Sequence, residues 1–193
     1  MRIVAGAWRG RPIEAPSGTA TRPTSDRARE GLFSMLASRI GSFEGLHVAD
    51  LFAGTGALGL EALSRGAAHC TFVEKDRAAL DTLKRNIARL GAQDRSDVRA
   101  QAVEHARPPA RSCDILFIDP PYGAGFAQAA LERVADWLAP GGWISFETHE
   151  ELVALPPGLN IVAERRFGKA ALHLIRAASA HSSGLSDWQG GRM

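Results

Sequence analysis

From Leu46 onward the chain alternates short apolar runs with helical stretches, and this alternation constrains the fold more than any other feature. The runs lie near residues 46–52, 69–74, 97–102, 113–119 and 142–147. Between the second and third, Asp76 to Leu90 sets Leu80, Leu83, Ile87 and Leu90 on one helical face, with Gly91 as the stop. Strands separated by helices pack as a mostly parallel sheet covered on both faces, so the predicted class is α/β and Rossmann-like. Two further runs, about 159–165 and 169–176, leave no room for a helix between them. They are expected to pair as an antiparallel hairpin closing one edge.

Outside this region the reading is coarser. The first fifteen residues read as two short strands around a Gly-containing turn with Trp8 and Arg9 near its tip, a small β-hairpin extension spanning residues 1–20. A Pro/Gly/Thr linker follows, then N-cap candidates at Thr24-Ser25-Asp26. Ala28, Leu32, Leu36 and Ile40 recur every four residues, predicting a helix to about Arg39. The main domain is expected over 21–177, and the Ser- and Gly-rich, aperiodic residues 178–193 as a flexible tail.

Composition removes several classes. No apolar run approaches the roughly 20 residues of a membrane span, and no signal-peptide pattern is present, so a cytoplasmic protein is expected. Cys70 and Cys113 head separate strand-like runs with no C-x-x-C spacing, and the 6 histidines are scattered; buried free thiols and no metal are expected. Net charge is only +2, but residues 1–30 carry six arginines against Glu14, Asp26 and Glu30. The positive excess therefore lies in an amino-terminal segment of guanidinium groups, which suit phosphate contact and base stacking.

The segment Asp50-Leu51-Phe52-Ala53-Gly54-Thr55-Gly56-Ala57-Leu58-Gly59 stands between the first core strand and its helix. Gly54, Gly56 and Gly59 satisfy G-x-G-x-x-G, and Glu74 lies 20 residues beyond Gly54 at the end of the second strand, placed to accept from ribose hydroxyls. That much would equally suit a nicotinamide enzyme. Two details favour S-adenosylmethionine. Asp50 stands where a dinucleotide site wants an apolar residue, and its carboxylate can neutralise a methionine ammonium. The second detail is the end of the fourth strand.

There Asp114-Ile115-Leu116-Phe117-Ile118 runs into Asp119-Pro120-Pro121-Tyr122. The prolines stop the strand, because they cannot donate to a ladder. Asp119, the Pro120 carbonyl and the Tyr122 ring are thus presented at the carboxyl end, where open α/β sheets bind ligands. Asp119 and Pro120 can accept the two N–H bonds of a nucleobase amino group and turn its lone pair toward an electrophile, while Tyr122 stacks on the base. No hydride transfer needs such a set.

These motifs, together with R-P-T-S-D-R-A-R-E-G-L-F-S-M-L at residues 22–36, resemble the bacterial small-subunit ribosomal RNA guanine-N2 methyltransferases of the RsmD family, from about Met1 to Arg176. The glycine loop and D-P-P-Y are shared by many amino-methyltransferases; the R-P-T-S-D-R segment is more specific. The resemblance implies a seven-stranded class I methyltransferase sheet with the last hairpin inserted at one edge. It also implies S-adenosylmethionine as cofactor and one guanine of 16S ribosomal RNA, on an assembled or assembling 30S particle, as target. A monomer is expected. The cofactor set becomes Asp50, Phe52, Ala53, Gly54, Thr55, Gly56, Glu74, Lys75, Gln101 and Ala102. Gln101-Ala102 departs from the acid that related enzymes commonly carry after the third strand, although a glutamine carbonyl still accepts from an adenine amine.

The expected substrate contacts are Arg9, Arg11, Arg22, Thr24, Arg27, Pro121 and Tyr122. Arg22 and Thr24 admit a second reading, as a helix start that binds the cofactor carboxylate. Methylation of DNA adenine or cytosine, or of a protein glutamine, would use the same acid-Pro-Pro-aromatic set, but the chain has no large target-recognition domain. A non-catalytic RNA-binding assembly factor is the remaining rival, against which the intact Asp50, Glu74 and Asp119 argue.

Overall fold

The computed structural model describes residues 1–15, 26–120, 126–148, 154–167 and 170–179. Its elements run α1 (Asp26–Ile40), β1 (His47–Leu51), α2 (Ala57–Ser64), β2 (His69–Glu74), α3 (Arg77–Leu90), β3 (Ser96–Ala100), β4 (Cys113–Ile118), α4 (Phe126–Val134), β5 (Leu138–Thr148), β6 (Leu159–Phe167) and β7 (Ala170–Ala177). The seven strands form one sheet in the order β3-β2-β1-β4-β5-β7-β6. The first five are mutually parallel, and β7 enters antiparallel between β5 and β6. The final hairpin closes one edge, as the missing helix between its strands requires.

The helices form for the reasons their sequences give. In α3 the Asp76 side chain accepts from Ala79 N at 2.8 Å and caps the start, while Gly91 at φ 69° ends the last turn. Leu80, Leu83, Ile87 and Leu90 are all buried. Strand β4 is covered on both sides, and its residues split by parity. Ile115 and Phe117 join the core under α1, α2 and α3; Leu116 and Ile118 join the core on the α4 side.

Strand limits shift by a residue or two at several ends, and by more at the start of β5. Strand β3 stops at Ala100, and β5 begins at Leu138 rather than near 142. The β4–β5 register jumps between Cys113↔Leu138 and Ile115↔Trp143, so Ala139-Pro140-Gly141-Gly142 bulges out of the ladder. A Pro-Gly pair reads locally as a break, although the backbone resumes the same strand beyond it.

The amino-terminal segment is less regular than a hairpin and more deeply built in. Its arms meet at one isolated bridge, Arg2 with Pro12, flanked by Ile3 N to Arg11 O and Ile13 N to Met1 O at 3.0 Å each. Trp8 is no exposed tip: with Ile3 and Ile13 it is buried in the main core, and the Arg95 guanidinium lies over its ring at 5.0 Å. Docking is polar as well as apolar. Glu61 of α2 accepts from Val4 N and Ala5 N at 2.8 and 3.0 Å, Ser64 Oγ accepts from Trp8 N, and Ala7 N donates to Ser64 O. Gly6, at φ 84°, sits so close that any Cβ would collide with the Ser64 carbonyl.

Among the described residues no helix is long and apolar enough to cross a membrane, and no group of three or more His, Cys, Asp or Glu side chains could hold a metal ion.

Candidate functional site

The site is assembled where β1, β2 and β4 end. Beyond Leu51 the chain turns through Phe52, which adopts φ 63°, a left-handed conformation that strains a bulky residue. Ala53 N then donates to Val73 O at 3.0 Å, Gly54 N to Glu74 Oε2 at 2.8 Å and Gly56 N to Ala53 O at 2.7 Å, folding the loop onto the end of β2. The three glycines differ in what they permit. A Cβ on Gly56 would strike Leu83, and one on Gly59 would strike Phe72 and stand 2.6 Å from Cys70 Sγ, so these two let α2 press onto the sheet. Among the described residues Gly54 has only the Phe52 carbonyl near its Cβ position, at 4.0 Å. Thr55 is fixed from behind, its carbonyl accepting from Asn86 Nδ2 at 3.0 Å.

Acids converge on this loop. Asp50 is 3% exposed and its Oδ2 accepts from Gly59 N at 2.8 Å. Burial pushes its carboxyl up to about 8 despite the Gly59 N–H, and the charges of Asp119 and Glu74 add to the rise. Glu74 is half-buried and straps two turns together, Oε2 to the glycine loop and Oε1 to Lys75 N and Asp76 N at 2.7 and 2.8 Å. Lys75 is exposed. Gln101 N donates to Glu74 O at 2.9 Å, setting the half-buried Gln101 and Ala102 beside the same strand end.

Asp119 follows the last residue of β4, half-buried, with Pro120 buried behind it. Burial first, and the Glu147 charge second, push its carboxyl up to about 7. The structure thus brings Asp50, Glu74 and Asp119 to one end of three adjacent strands. Pro121, Tyr122, Arg22 and Thr24 lie outside the described residues. Glu147 escaped the sequence reading, yet its signal was there: Trp143-Ile144-Ser145-Phe146 ending in an acid repeats the pattern that singled out Asp119.

The amino-terminal arginines divide. Arg9, Arg11 and Arg27 are exposed, and Arg11 Nη2 donates to Arg89 O at 2.6 Å, which joins it to α3. There Arg85 and Arg89 hold Glu14 at 3.0 and 2.8 Å, keeping that carboxyl below its usual range. Arg29, by contrast, is fully buried between Asp26 at 2.9 Å and Glu61 at 3.6 Å, and donates to the Arg2 carbonyl. Its charge is internal, so the positive face is smaller than the residue count implies.

A parallel five-stranded run with an inverted β7–β6 pair, a glycine turn after its first strand and an acid at the exit of its fourth define a class I methyltransferase domain. A family model described as Conserved hypothetical protein 95 matches residues 1–176. Ribosomal RNA small subunit methyltransferase D of Escherichia coli is 38% identical over 180 residues, covering 91% of this chain and 89% of its own. The protein of the same name from Haemophilus influenzae is 34% identical over 183 residues, covering 91% and 93%. A solved methyltransferase structure from Escherichia coli, 36% identical, superposes with a TM-score of 0.82 over 93% of this chain and 98% of its own. The chain belongs to the family of these small subunit methyltransferase D proteins, the RsmD family. It is an S-adenosylmethionine-dependent methyltransferase.

Proposed function

We propose that the protein transfers a methyl group from S-adenosylmethionine to the exocyclic N2 of one guanine in 16S ribosomal RNA, on an assembled or assembling 30S particle. The observation that carries this reading is Asp119 at the exit of β4, close enough to Asp50 for its charge to be felt there. The names of the relatives support ribosomal RNA as the substrate class. Work on such a substrate would place the protein in the cytoplasm, acting as a monomer.

The residues present suit the cofactor. Among the described residues only the Phe52 carbonyl stands near the Gly54 Cβ position, and the buried Asp50 carboxyl, pushed up by burial and by the charges of Asp119 and Glu74, is a group that a cationic ligand relieves. When bound, S-adenosylmethionine supplies an electrophilic methyl on a sulfonium. The loop Phe52 to Gly56, with Asp50, Glu74, Lys75, Gln101 and Ala102, would hold it. Glu74 retains lone pairs beyond those its three backbone donors use, and these can accept from ribose hydroxyls.

Asp119 accepts an N–H of the guanine amine, and the Pro120 carbonyl accepts the second. The amine would otherwise be planar, with its lone pair shared into the ring. Held by two acceptors, it forms the N–C bond as the C–S bond breaks, and the surplus proton leaves to Asp119 or water. Tyr122 stacks on the base, which must be unpaired or flipped out. Arg9, Arg11, Arg22, Thr24 and Arg27 would meet phosphate and position the RNA.

The test is to supply labelled cofactor with unmodified 30S particles, naked RNA, DNA and protein, then identify the product by mass spectrometry. Guanine N2 in 16S RNA is the expected product, and Asp119→Ala should raise the barrier by about 2–4 kcal/mol. Label appearing on adenine, cytosine or glutamine, or near-normal turnover by Asp119→Ala, would overturn the proposal.

A further inference from the structure

A second acid stands beside the amine-orienting one, on the neighbouring strand. Strands β4 and β5 run parallel, and their last registered pair is Ile118 with Phe146. One residue beyond that pair come Asp119 and Glu147. Adjacent strands lie about 4.8 Å apart. Side-chain parity puts both acids on the same side of the sheet. Ile118 and Phe146 belong to the core on the α4 side, whereas Phe117 and Trp143 belong to the opposite one. Asp119 and Glu147, each one step past an α4-side residue, therefore fall together on the face covered by α1, α2 and α3. The Glu147 charge is felt at Asp119.

Two neighbouring carboxylates suit only one kind of base edge. A carboxylate accepts and does not donate. In guanine the amino group at C2 adjoins a ring N1–H, so the edge offers donors side by side. In adenine and cytosine the ring nitrogen beside the amine carries a lone pair, which would face a second carboxylate unfavourably. We infer that Glu147 reads the target base, accepting the N1–H of guanine while Asp119 holds its N2 amine. This rests on the guanine assignment above and adds to it a specificity-determining residue. Glu147 supplies discrimination in two ways, by attraction to a ring N–H and by repulsion of a ring lone pair.

The test replaces the target guanosine by 2,6-diaminopurine riboside, which keeps the amine at C2 but has a bare N1. The wild-type protein is expected to methylate guanine faster by roughly 10²-fold or more, since a site built to bind an N–H rejects an analogue lacking it. E147A and E147Q should slow guanine and leave diaminopurine unchanged or improved, so that the ratio collapses toward one. The amide of E147Q, close to isosteric, can also turn its NH2 toward the bare N1. The rise in melting temperature with S-adenosylhomocysteine should stay as in wild type, which reports an intact cofactor site; if E147A does not fold, E147Q carries the test. Variants that slow both substrates equally, or that keep the wild-type ratio, overturn the inference while leaving the guanine-N2 assignment standing. A wild-type protein that modifies no guanine N2 overturns both.

Discussion

Asp50 and Asp119 hold protons in the folded protein at pH values where an unfolded chain would have lost them. Their folded values, about 8 and about 7, lie above the ordinary 3.8. Folding therefore takes up protons between about pH 4 and 8, and the stability of the ligand-free protein falls as pH rises through that window. Among the described residues the charges felt at Asp50 are those of Asp119 and Glu74, and the charge felt at Asp119 is that of Glu147, all of them acids that push in the same direction. Asp50→Asn keeps an acceptor for Gly59 N and removes the buried charge. Thermal melts from pH 5 to 8 should show the wild type losing stability with rising pH and the variant flatter, with a gain on the order of a few kcal/mol at pH 8. A wild-type curve that climbs over this range would mean that these carboxyls are ionised at neutral pH. Sequence alone marked Asp50 by its place in the strand ahead of the glycines and Asp119 by its place at the end of an apolar run. It could not show their mutual influence, because 69 positions separate Asp50 from Asp119 and only the β1–β4 pairing brings them close.

Elements whose partners lie nearby in sequence were legible; those held by distant side chains were not. The cap, apolar stripe and glycine stop of α3 all fall within its own stretch, and its observed limits match the reading. The amino-terminal segment has an ambiguous local pattern, because what shapes it is Glu61 and Ser64, more than 50 residues away. Glu61→Ala is expected to destabilise the protein by about 3–5 kcal/mol, leaving Arg29 buried without one of its two counter-charges. It also removes the acceptor for Val4 N and Ala5 N. Urea unfolding checks this, with Glu14→Ala as the contrast: its arginine partners are largely exposed, and its midpoint should barely move. Strand β6 shows a different economy. It forms the sheet edge with Ile161 and Val162 each 44% exposed, but a register shift at that point and the charged run Glu164-Arg165-Arg166 discourage pairing with another chain.

Across the whole molecule the proposed RNA face unites two stretches that the sequence holds far apart. Arg9 and Arg11 extend onto α3 through the hydrogen bond from Arg11 to the Arg89 carbonyl, bringing Arg85 and Arg89 into the same neighbourhood. Charge along the sequence pointed to Arg9 and Arg11 and passed over Arg85 and Arg89, and it also counted Arg29, which is interior. RNA affinity should fall steeply with salt, and Arg9→Ala with Arg11→Ala should reduce the slope of log K against log salt by about 0.7–0.9 for each phosphate that is no longer neutralised. Binding that ignores ionic strength would count against this face. The mostly parallel sheet with its antiparallel edge hairpin, by contrast, was legible in the alternation of apolar runs and helices.

Asn86 lies fully buried on α3. Its carboxamide accepts from Glu14 N at 2.8 Å, and its Nδ2 donates to both Glu14 O and Thr55 O at 3.0 Å. One side chain therefore clamps the end of the arginine-bearing arm to the glycine turn after β1. A shift of either is passed to the other through a single planar group, and removal of that amide would loosen both segments at once.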